Sequence, residues 1–398
     1  MSDNKFELLG NTYDDVETAR PSLTYWQDAW RRLKKNKSSM IGLVVIVFIV
    51  LFGIAGPWFS PYKYSDQINK YKNLPPVLDM YQLDDLYVYV SNDYNMFAVA
   101  PNGRMIDRIE LDKRDVVKKV YTYLYNGEEV VLDFSFKVAN QNLAKEDQHV
   151  YNFTVSYRGE TAYSNEPTTK KINKLFPFGT DDLGRDLLTR VMYGARISLL
   201  VAFIATIVNL FIGVIYGSIS GFEGGRVDDI MMRIVDIINS VPLVLYVILL
   251  MVWFRGGGLV NIIIALSSVY WVSMARLVRG QILSLKEQEF ILAAKVIGVP
   301  RFKIIAKHLI PNAIGPIIVS MAMMIPSAVF TESFLSFIGL GVSAPMASWG
   351  TLANNALSGL TTYPYQLFFP AMAIAFTMLA FNFIGDGLRD ALDPRLRK

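Results

Sequence analysis

Six apolar stretches constrain the fold of this chain more than any other feature of its sequence. Each is long enough to cross about 30 Å of hydrocarbon as an α-helix. A chain that is 52% hydrophobic and only 19% charged is typical of a membrane protein with a soluble part. The predicted spans are residues 40–59, 195–217, 237–254, 259–275, 312–338 and 367–386. Because only Arg255-Gly256-Gly257-Gly258 separates the third and fourth spans, we predict a tight helical hairpin there.

Lysine and arginine residues near the spans predict the orientation, since basic residues concentrate on the cytoplasmic side. Residues 339–366 contain no basic residue, whereas the segments at the other ends of the spans contain many. We therefore expect six spans with both termini in the cytoplasm. The basic residues are Arg31, Arg32, Lys34, Lys35 and Lys37 before the first span, Arg276, Arg279, Lys286, Lys295, Arg301, Lys303 and Lys307 between the fourth and fifth, and Arg389, Arg395, Arg397 and Lys398 in a cytoplasmic tail, 389–398.

The N-terminal tail, residues 1–39, contains a predicted amphipathic helix over 22–37. Ser22 is the expected N-cap, and apolar residues recur behind it at helical spacing with basic residues elsewhere on the turn. This pattern is typical of a helix that lies in the membrane interface and contacts lipid. A helix that binds a protein partner is the alternative. The apolar residues are Leu23, Trp26, Trp30 and Leu33.

Between the first two spans lie polar residues, 62–176, which the predicted topology places outside the cell as a folded β-rich domain. Val120–Tyr125 and Glu128–Val138 alternate in polarity and are joined by Asn126-Gly127, a strong hairpin signal. Further predicted strands are Leu86–Val90, Met96–Ala100 and Val150–Tyr157.

Three tyrosines, Tyr121, Tyr123 and Tyr125, lie on one face of the predicted hairpin. Rigid aromatic side chains suit a protein interface, which makes this face a candidate contact for a protein that binds it from outside the cell. The alternative is that the three tyrosines fill the core of the domain.

Residues 287–312, EQEFILAAKVIGVPRFKIIAKHLIPN, form a basic segment between two very apolar ones. The pattern predicts a helix around Glu289–Ile297, with two small residues, Ala293 and Ala294, that allow another surface to approach closely. Gly298 can then adopt the positive φ that reverses the chain. A second basic helix is expected to end at Pro311.

Three separate motifs follow residue 177. The first is FGTD-x-x-GRD within 178–198, the second is the basic segment within residues 276–311, and the third is the stretch 331–350 with its LSF-x-GLG and SWG elements. In this order they resemble the C-type permeases of bacterial oligopeptide, dipeptide and nickel ABC importers, in which the second motif is the cytoplasmic coupling loop, EAA-x3-G-x9-I-x-L-P. The chain departs from that pattern at Leu292, His308 and Ile310.

The resemblance implies an all-α membrane protein with six transmembrane helices of the type I ABC importer permease kind, here with the β-rich domain inserted between helices 1 and 2. Residues 177–388 would be the permease core. The implied partners are a homologous B-type permease, two cytoplasmic ATPases, a lipid-anchored substrate-binding protein and a peptide. Glu289, Ala293, Ala294, Gly298 and Pro311 would contact an ATPase. The expected location is a plasma membrane, of a Gram-positive bacterium given the large outer domain.

A few polar and small residues inside the spans are candidates for separate roles. Glu332 either lines a substrate pathway or is satisfied by its neighbours, such as Ser333. Asn209 and Asn382 are expected to form hydrogen bonds between helices. Two glycines, Gly213 and Gly217, indicate close helix packing.

An acidic segment between the second and third spans is interpreted as a solvated loop, with bracing of the coupling helix as the alternative. It contains Asp228, Asp229 and Asp236 together with Arg226 and Arg233.

Several kinds of chemistry are disfavoured by what the sequence lacks. It has no cysteine, its two histidines are far apart, and no Gly-Lys dipeptide could begin a phosphate-binding loop. We therefore expect no metal site, no catalytic residue and no cofactor in this chain, with ATP and Mg²⁺ held by the ATPases. A net charge of +4 gives no indication of nucleic acid binding. The alternatives are an ion-coupled secondary transporter, which needs carboxylates in the membrane, and a ligand sensor.

Overall fold

The computed structural model describes residues 24–142, 150–254 and 258–393, which form a helical membrane domain and a β-rich domain between its first two spans. The predicted fold class is confirmed. The helices in these ranges are α1 (Tyr25–Lys35), α2 (Lys37–Ile54), α3 (Gly56–Phe59), α4 (Ser135–Asn142), α5 (Leu187–Glu223), α6 (Gly225–Ser240), α7 (Leu243–Trp253), α8 (Leu259–Val269), α9 (Trp271–Leu285), α10 (Glu289–Val296), α11 (Arg301–Ile304), α12 (Ile310–Leu335), α13 (Trp349–Asn355) and α14 (Tyr365–Leu392).

Five helices in the described ranges are long and apolar enough to cross a membrane, and a bent pair makes a sixth candidate. The pair is α6 and α7, which meet at 86°. The predicted hairpin is formed by α7 and α8, and Val247 of α7 packs in one cluster with Ile262 and Leu266 of α8. Residues 255–257, between the two helices, lie outside the described residues. The five single spans are Lys37–Ile54, Leu187–Glu223, Leu259–Leu285, Arg301–Leu340 and Tyr365–Leu392.

The segment predicted as a coupling loop, 276–311, is largely helical. The fourth span continues to Leu285, and the fifth begins at Arg301 instead of residue 312. The expectation that a basic helix ends at Pro311 is wrong, because the helix passes through this proline. Residues Ile305–Leu309 form one π-helical turn directly before it. Since proline lacks an N–H and crowds the carbonyl four residues earlier, a widened turn at this point lets the helix continue.

Helix α1 is amphipathic, as predicted, but it begins later than expected. Thr24 is its N-cap and forms a capping box with Gln27, while the predicted cap Ser22 lies outside the described residues. Leu33 is buried, whereas Trp26 and Trp30 are 54% and 47% exposed. Exposed tryptophans beside basic residues are typical of a helix in the membrane interface.

The β-rich domain contains two antiparallel five-stranded sheets within the described ranges. Their orders are β10-β1-β2-β3-β4 and β5-β6-β7-β8-β9. The first sheet is buried on both faces, with one face against the second sheet and the other in a cluster that includes Leu74 and Phe176. The strands are β1 (Val77–Leu83), β2 (Leu86–Val90), β3 (Met96–Val99), β4 (Met105–Arg108), β5 (Glu110–Asp115), β6 (Val120–Tyr125), β7 (Glu128–Asp133), β8 (Thr154–Tyr157), β9 (Glu160–Tyr163) and β10 (Thr169–Ile172).

The predicted hairpin is present as β6 and β7, and Asn126 and Gly127 both have positive φ, as a two-residue hairpin turn of this type requires. Its second strand is shorter than the predicted range to Val138. It ends at Asp133, whose carboxylate accepts a hydrogen bond from the Ser135 N–H (2.9 Å), and α4 follows. Because the Ser135 N–H is bonded to this side chain, it needs no partner in a neighbouring strand, and the chain can leave the sheet here.

The three tyrosines of this hairpin lie in the domain's core. Tyr121 and Tyr123 are 8% and 2% exposed, and Tyr125 is half-buried against the same cluster. The Tyr121 hydroxyl accepts from Arg114 (2.8 Å), and the Tyr123 hydroxyl donates to the Tyr94 carbonyl. The interpretation of this face as an exposed contact for a binding protein is therefore wrong, and the core-filling alternative is confirmed.

Helices α5 and α9 pack closely along a line of small residues on α5. A Cβ at Gly217 would lie 2.3 Å from the Ala275 carbonyl oxygen, so no larger residue fits there without moving backbone. Gly213 contacts Met274 earlier along both helices, which shows that α5 and α9 run parallel. The expectation of close packing at these glycines is confirmed. The C-terminal ends of α5 and α9 therefore lie together, at the end of the bundle opposite the β-rich domain.

Candidate functional site

Helix α10 lies at this end of the bundle and is closed by a well-defined C-terminal turn. Gly298 has φ of +75°. Its N–H donates to the Lys295 carbonyl (3.1 Å), and the Val299 N–H donates to the Ala294 carbonyl (3.0 Å). These two bonds are the Schellman arrangement, in which a left-handed residue ends a helix and redirects the chain. The predicted role of Gly298 as a positive-φ turn residue is thus present in the structure.

The two alanines of α10 lie on different faces of the helix. Ala294 is 5% exposed and packs with Ile291 in a cluster that includes Val278 and Ile282 of α9. Ala293 is exposed. The expectation that both alanines face a partner is therefore wrong for Ala294, which holds α10 against its own chain. The two residues differ because adjacent residues of a helix point about 100° apart.

Four large apolar side chains on α10 or shortly after it are exposed, and we call them the α10 patch. It consists of Phe290, Val296, Ile297 and Phe302, which are 44%, 86%, 77% and 79% exposed. Glu289 and Pro311 are also exposed nearby in the sequence. Several large apolar side chains exposed in one segment of a chain indicate an interaction site. These four residues were not predicted from the sequence, although apolar residues in an otherwise polar, basic segment were the available signal.

Ion pairs connect the neighbourhood of α10 to the spans. Asp228 on α6 accepts two hydrogen bonds from Arg279 on α9, at 2.6 and 2.5 Å, and a third from Ser220 on α5. Arg301 on α11 pairs with Glu223 at the end of α5 (2.9 Å). The acidic segment around Asp228 is thus part of a helix, and the interpretation as a solvated loop is wrong. Its alternative, bracing of the segment that leads to α10, agrees with these contacts.

At the opposite end, the FGTD-x-x-GRD motif joins the β-rich domain to the bundle. Thr180 is fully buried. Its hydroxyl accepts from the Leu74 N–H (2.8 Å), and its carbonyl accepts from the Tyr365 hydroxyl (2.9 Å) and from Gln366 (3.0 Å). Phe178 stacks on Phe369 with ring centroids 3.9 Å apart. The motif therefore fixes three segments to one another: the start of the β-rich domain, the approach to α5, and α14.

The charged residues of the same motif form local ion pairs. Asp181 lies 2.6 Å from Arg185 and 3.4 Å from Arg190, and Arg185 is also 3.8 Å from Asp182. Thr180 and Asp181 do not cap the following helix. Asp186 is the N-cap of α5 and accepts from the backbone of Thr189.

The environment of Asp186 is strongly desolvated. Burial raises the pKa of its carboxyl group, and the hydrogen bonds from Thr189 oppose that rise. One carboxylate oxygen, Oδ1, has no hydrogen-bond partner in the described part of the chain. A buried acid with an unsatisfied oxygen is costly to ionise, which explains the direction of the shift.

Glu332 is fully buried where α12 meets α5. Its carboxyl group accepts hydrogen bonds from Ser198 (2.7 Å) and Ser336 (2.8 Å), with Ser333 at 3.4 Å. A side chain with no exposed surface does not line an open pathway, so that interpretation of Glu332 is wrong for this conformation. The alternative, satisfaction by neighbouring groups, is what the structure has, and Ser198 and Ser336 are partners that the sequence did not identify.

The other polar residues inside the spans differ from expectation. Asn209 is fully buried, and neither its side-chain oxygen nor its nitrogen has a partner among the described residues. Asn382 is exposed on α14. The predicted hydrogen bonds between helices are therefore absent for Asn209. Among residues 24–142, 150–254 and 258–393, no group of three or more His, Cys, Asp or Glu side chains could hold a metal ion.

Comparison with known proteins identifies the family of this architecture. The family model "Binding-protein-dependent transport system inner membrane component" matches residues 213–398, and "N-terminal TM domain of oligopeptide transport permease C" matches residues 24–76. Among solved structures, an inward-facing MetNI methionine ABC transporter chain has 18% identity and a TM-score of 0.44, covering 51% of this chain and 96% of that chain.

Curated relatives match nearly the whole chain. The dipeptide permease DppC of Bacillus subtilis is 40% identical over 95% of this chain and 88% of the relative. The oligopeptide permease OppC of Bacillus subtilis is 39% identical over 99% of this chain and 98% of the relative. OppC of Salmonella typhimurium is 49% identical over 100% and 99%. The chain therefore belongs to the OppC and DppC family of transport system permease proteins, the membrane components of binding-protein-dependent transport.

Proposed function

We propose that this protein is the C-type membrane subunit of a bacterial peptide ABC importer and that the α10 patch is its docking surface for an ATPase subunit. The observation that carries the docking assignment is the exposed apolar surface of Phe290, Val296, Ile297 and Phe302 outside the spans. The membership in the OppC and DppC family supports peptides as the cargo.

The proposed assembly contains this chain, a homologous B-type permease, two cytoplasmic ATPases that hold ATP and Mg²⁺, and a lipid-anchored substrate-binding protein. Both termini and α10 lie on the cytoplasmic side of the plasma membrane. The β-rich domain then lies outside, facing the binding protein. The distribution of Lys and Arg supports this orientation.

Motion of the ATPases reaches the membrane through packed contacts. Ile291 and Ala294 attach α10 to α9, and α9 is attached to α5 by the close approach at Gly217 and to α6 by the Asp228–Arg279 pair. A displacement of α10 therefore moves a rigid group of helices instead of bending a loop. Rigid motion of this group against the partner permease would alternately open the peptide path to each side of the membrane.

Glu289, Ala293, Gly298 and Pro311 are proposed to border the ATPase contact, while Ala294 acts through packing within the chain. Ala293 leaves room for a close approach, since its side chain is a single methyl group. Gly298 sets the direction of the chain behind α10. At this position Gly298→Val places a branched side chain at φ of +75°, which costs about 1–2 kcal/mol in the backbone.

Co-purification of the ATPases with tagged permease tests this proposal. Val296→Asp adds a charge to the centre of the α10 patch, and we expect the ATPases to be lost while permease levels in the membrane stay normal. Val117→Asp is the matched control, since Val117 is 92% exposed in the turn between β5 and β6. Full ATPase association in the Val296→Asp variant would show that the patch is not the docking surface.

A further inference from the structure

An apolar groove opens on one side of the helical bundle, between α2, α5, α12 and α14, and has a volume of about 560 Å³. Three large apolar side chains that line it, Ile54, Leu200 and Phe203, are exposed. All four helices belong to the spans, so the groove is open to the membrane and not to water. Among the described residues that line the groove, the single charged one is Arg196.

The groove runs from the membrane interface toward the middle of the bilayer. One end lies at Ile54, the last residue of α2, on the side of the β-rich domain. Trp58 follows four residues later and is exposed, and tryptophan is enriched at the level of the lipid headgroups. The other end lies at Ile325 and Phe381, near the middle of α12 and α14. Arg196 is therefore at headgroup depth, and the rest of the groove is at the depth of the acyl chains.

Arg196 is held in place by backbone and by an aromatic ring. Its Nε and one terminal nitrogen donate to the carbonyls of Gly53 and Ile54, at 2.5 and 2.6 Å, in the last turn of α2. Its guanidinium carbon lies 4.8 Å from the centre of the Tyr193 ring. Neither contact is with a carboxylate, and Arg196 forms no ion pair within the part of the chain that the structure describes. Its other terminal nitrogen, Nη1, has no hydrogen-bond partner among those residues.

A guanidinium without a carboxylate is costly at the edge of a membrane, where charged side chains are normally paired. The planar guanidinium group matches phosphate oxygens, which accept two parallel hydrogen bonds from it. A zwitterionic phospholipid brings its own cation to balance its phosphate. An anionic phospholipid supplies the net negative charge that Arg196 lacks, and the apolar groove below Arg196 fits an acyl chain.

We propose that this groove is a binding site for one anionic phospholipid, with the phosphate on Arg196 and an acyl chain along Leu200 and Phe203. The lipid would strengthen the contact between α2 and α5, because the guanidinium that holds the phosphate also binds the last carbonyls of α2. This inference goes beyond the proposed function and does not depend on the cargo or on the docking surface of the ATPases.

Native mass spectrometry of the complete transporter, purified in detergent and stripped of lipid, tests the site. Phosphatidylglycerol and phosphatidylcholine with the same acyl chains are titrated separately. We expect the tightest phosphatidylglycerol site to have a Kd about tenfold lower than that for phosphatidylcholine. Arg196→Met removes the charge and keeps an unbranched side chain, and it should abolish this preference. Arg104→Met is the control, because Arg104 is exposed in a turn of the β-rich domain, and it should change nothing.

A second variant leaves Arg196 and its bonds to α2 intact. Leu200→Trp fills the groove from an exposed position, so we expect it to weaken the binding of phosphatidylglycerol about tenfold at normal membrane levels. Ile215→Trp is the matched control, because Ile215 is exposed on the same helix outside the groove. A photoreactive amino acid in place of Leu200 should crosslink to phospholipid in intact cells.

Three results would overturn the inference. Equal affinity of the unsubstituted transporter for the two lipids would mean that Arg196 does not select an anionic headgroup. Unchanged phosphatidylglycerol binding in both Arg196→Met and Leu200→Trp would place the lipid elsewhere. Crosslinking from position 200 to the partner permease instead of to lipid would assign the groove to the interface between the two permeases. None of these results bears on the co-purification of the ATPases, so failure of the lipid site and failure of the proposed function are distinct.

Discussion

Asp228 and Arg279 are joined by two hydrogen bonds of 2.6 and 2.5 Å, although 51 residues separate them in the chain. The pair attaches α6 to α9, just before the turn that leads to α10. The side chain of Asp228 is 9% exposed and that of Arg279 is 34% exposed. A charged pair with two parallel bonds and little solvent on the acid fixes the relative position of two helices more firmly than a surface pair does.

Removal of this pair should lower stability. Asp228→Ala leaves the Arg279 guanidinium and the Ser220 hydroxyl without their acceptor, at an expected cost of about 1–3 kcal/mol. The apparent melting temperature of the purified protein in detergent measures the effect. Asp236→Ala is the matched control, because its partner Arg276 and Asp236 itself are 44% and 58% exposed, and we expect almost no change. Equal melting temperatures for both variants would contradict the assigned role.

Close packing at Gly217 gives a second stability prediction. Gly217→Ala places a methyl group 2.3 Å from the Ala275 carbonyl oxygen, which belongs to backbone and cannot rotate away. We expect a loss on the order of 1–3 kcal/mol, the usual cost of overpacking. Gly280→Ala on α9 is the control. A Cβ there meets no atom within 4 Å, so this variant should be neutral or slightly more stable. A stable Gly217→Ala protein would mean that α5 and α9 separate readily.

The spans and the central hairpin were predictable because their signals are local. Long apolar runs indicate burial in hydrocarbon. Asn126-Gly127 indicates a turn because both residues readily adopt the positive φ that this turn requires. The ends of the spans were less well predicted. Charged residues such as Arg279 and Arg301 shorten the apolar run in the sequence. In the structure both lie within helices, where they pair with Asp228 and Glu223 on other helices.

The roles of single side chains required the structure. Alternation placed Tyr121 and Tyr123 on one face, but only the packing of the first sheet against that face shows that it is the inner one. Likewise, nothing near Glu332 in the sequence indicates Ser198, which lies 134 residues away and supplies its hydrogen bond. Val296 is apolar, so only its exposed position in the structure identifies it as part of the α10 patch.

Glu332 accepts hydrogen bonds from Ser198 and Ser336, and substitutions of Glu332 can distinguish a structural role from a role in transport. Glu332→Ala leaves the Ser198 and Ser336 hydroxyls facing a cavity, so we expect a loss of about 2–4 kcal/mol and lower membrane levels. Glu332→Gln preserves the volume and one acceptor, and the serine hydroxyls can rotate to accept from its amide. This variant should stay close to the original melting temperature and import peptide normally. Abolished import with an unchanged melting temperature in Glu332→Gln would instead assign Glu332 to the transport cycle.

The proposed orientation can be tested with single cysteines, because the natural sequence contains none. Val117 is 92% exposed in the β-rich domain, Ser358 is exposed after α13, and Ser284 is exposed near the end of α9. In intact cells, a membrane-impermeant thiol reagent should label Val117→Cys and Ser358→Cys. Ser284→Cys should react only after permeabilisation, because α5 and α9 run parallel and end on the side opposite the β-rich domain. Labelling of Ser284→Cys in intact cells would reverse the assignment of the α10 patch to the cytoplasm and exclude it as a contact for ATPases.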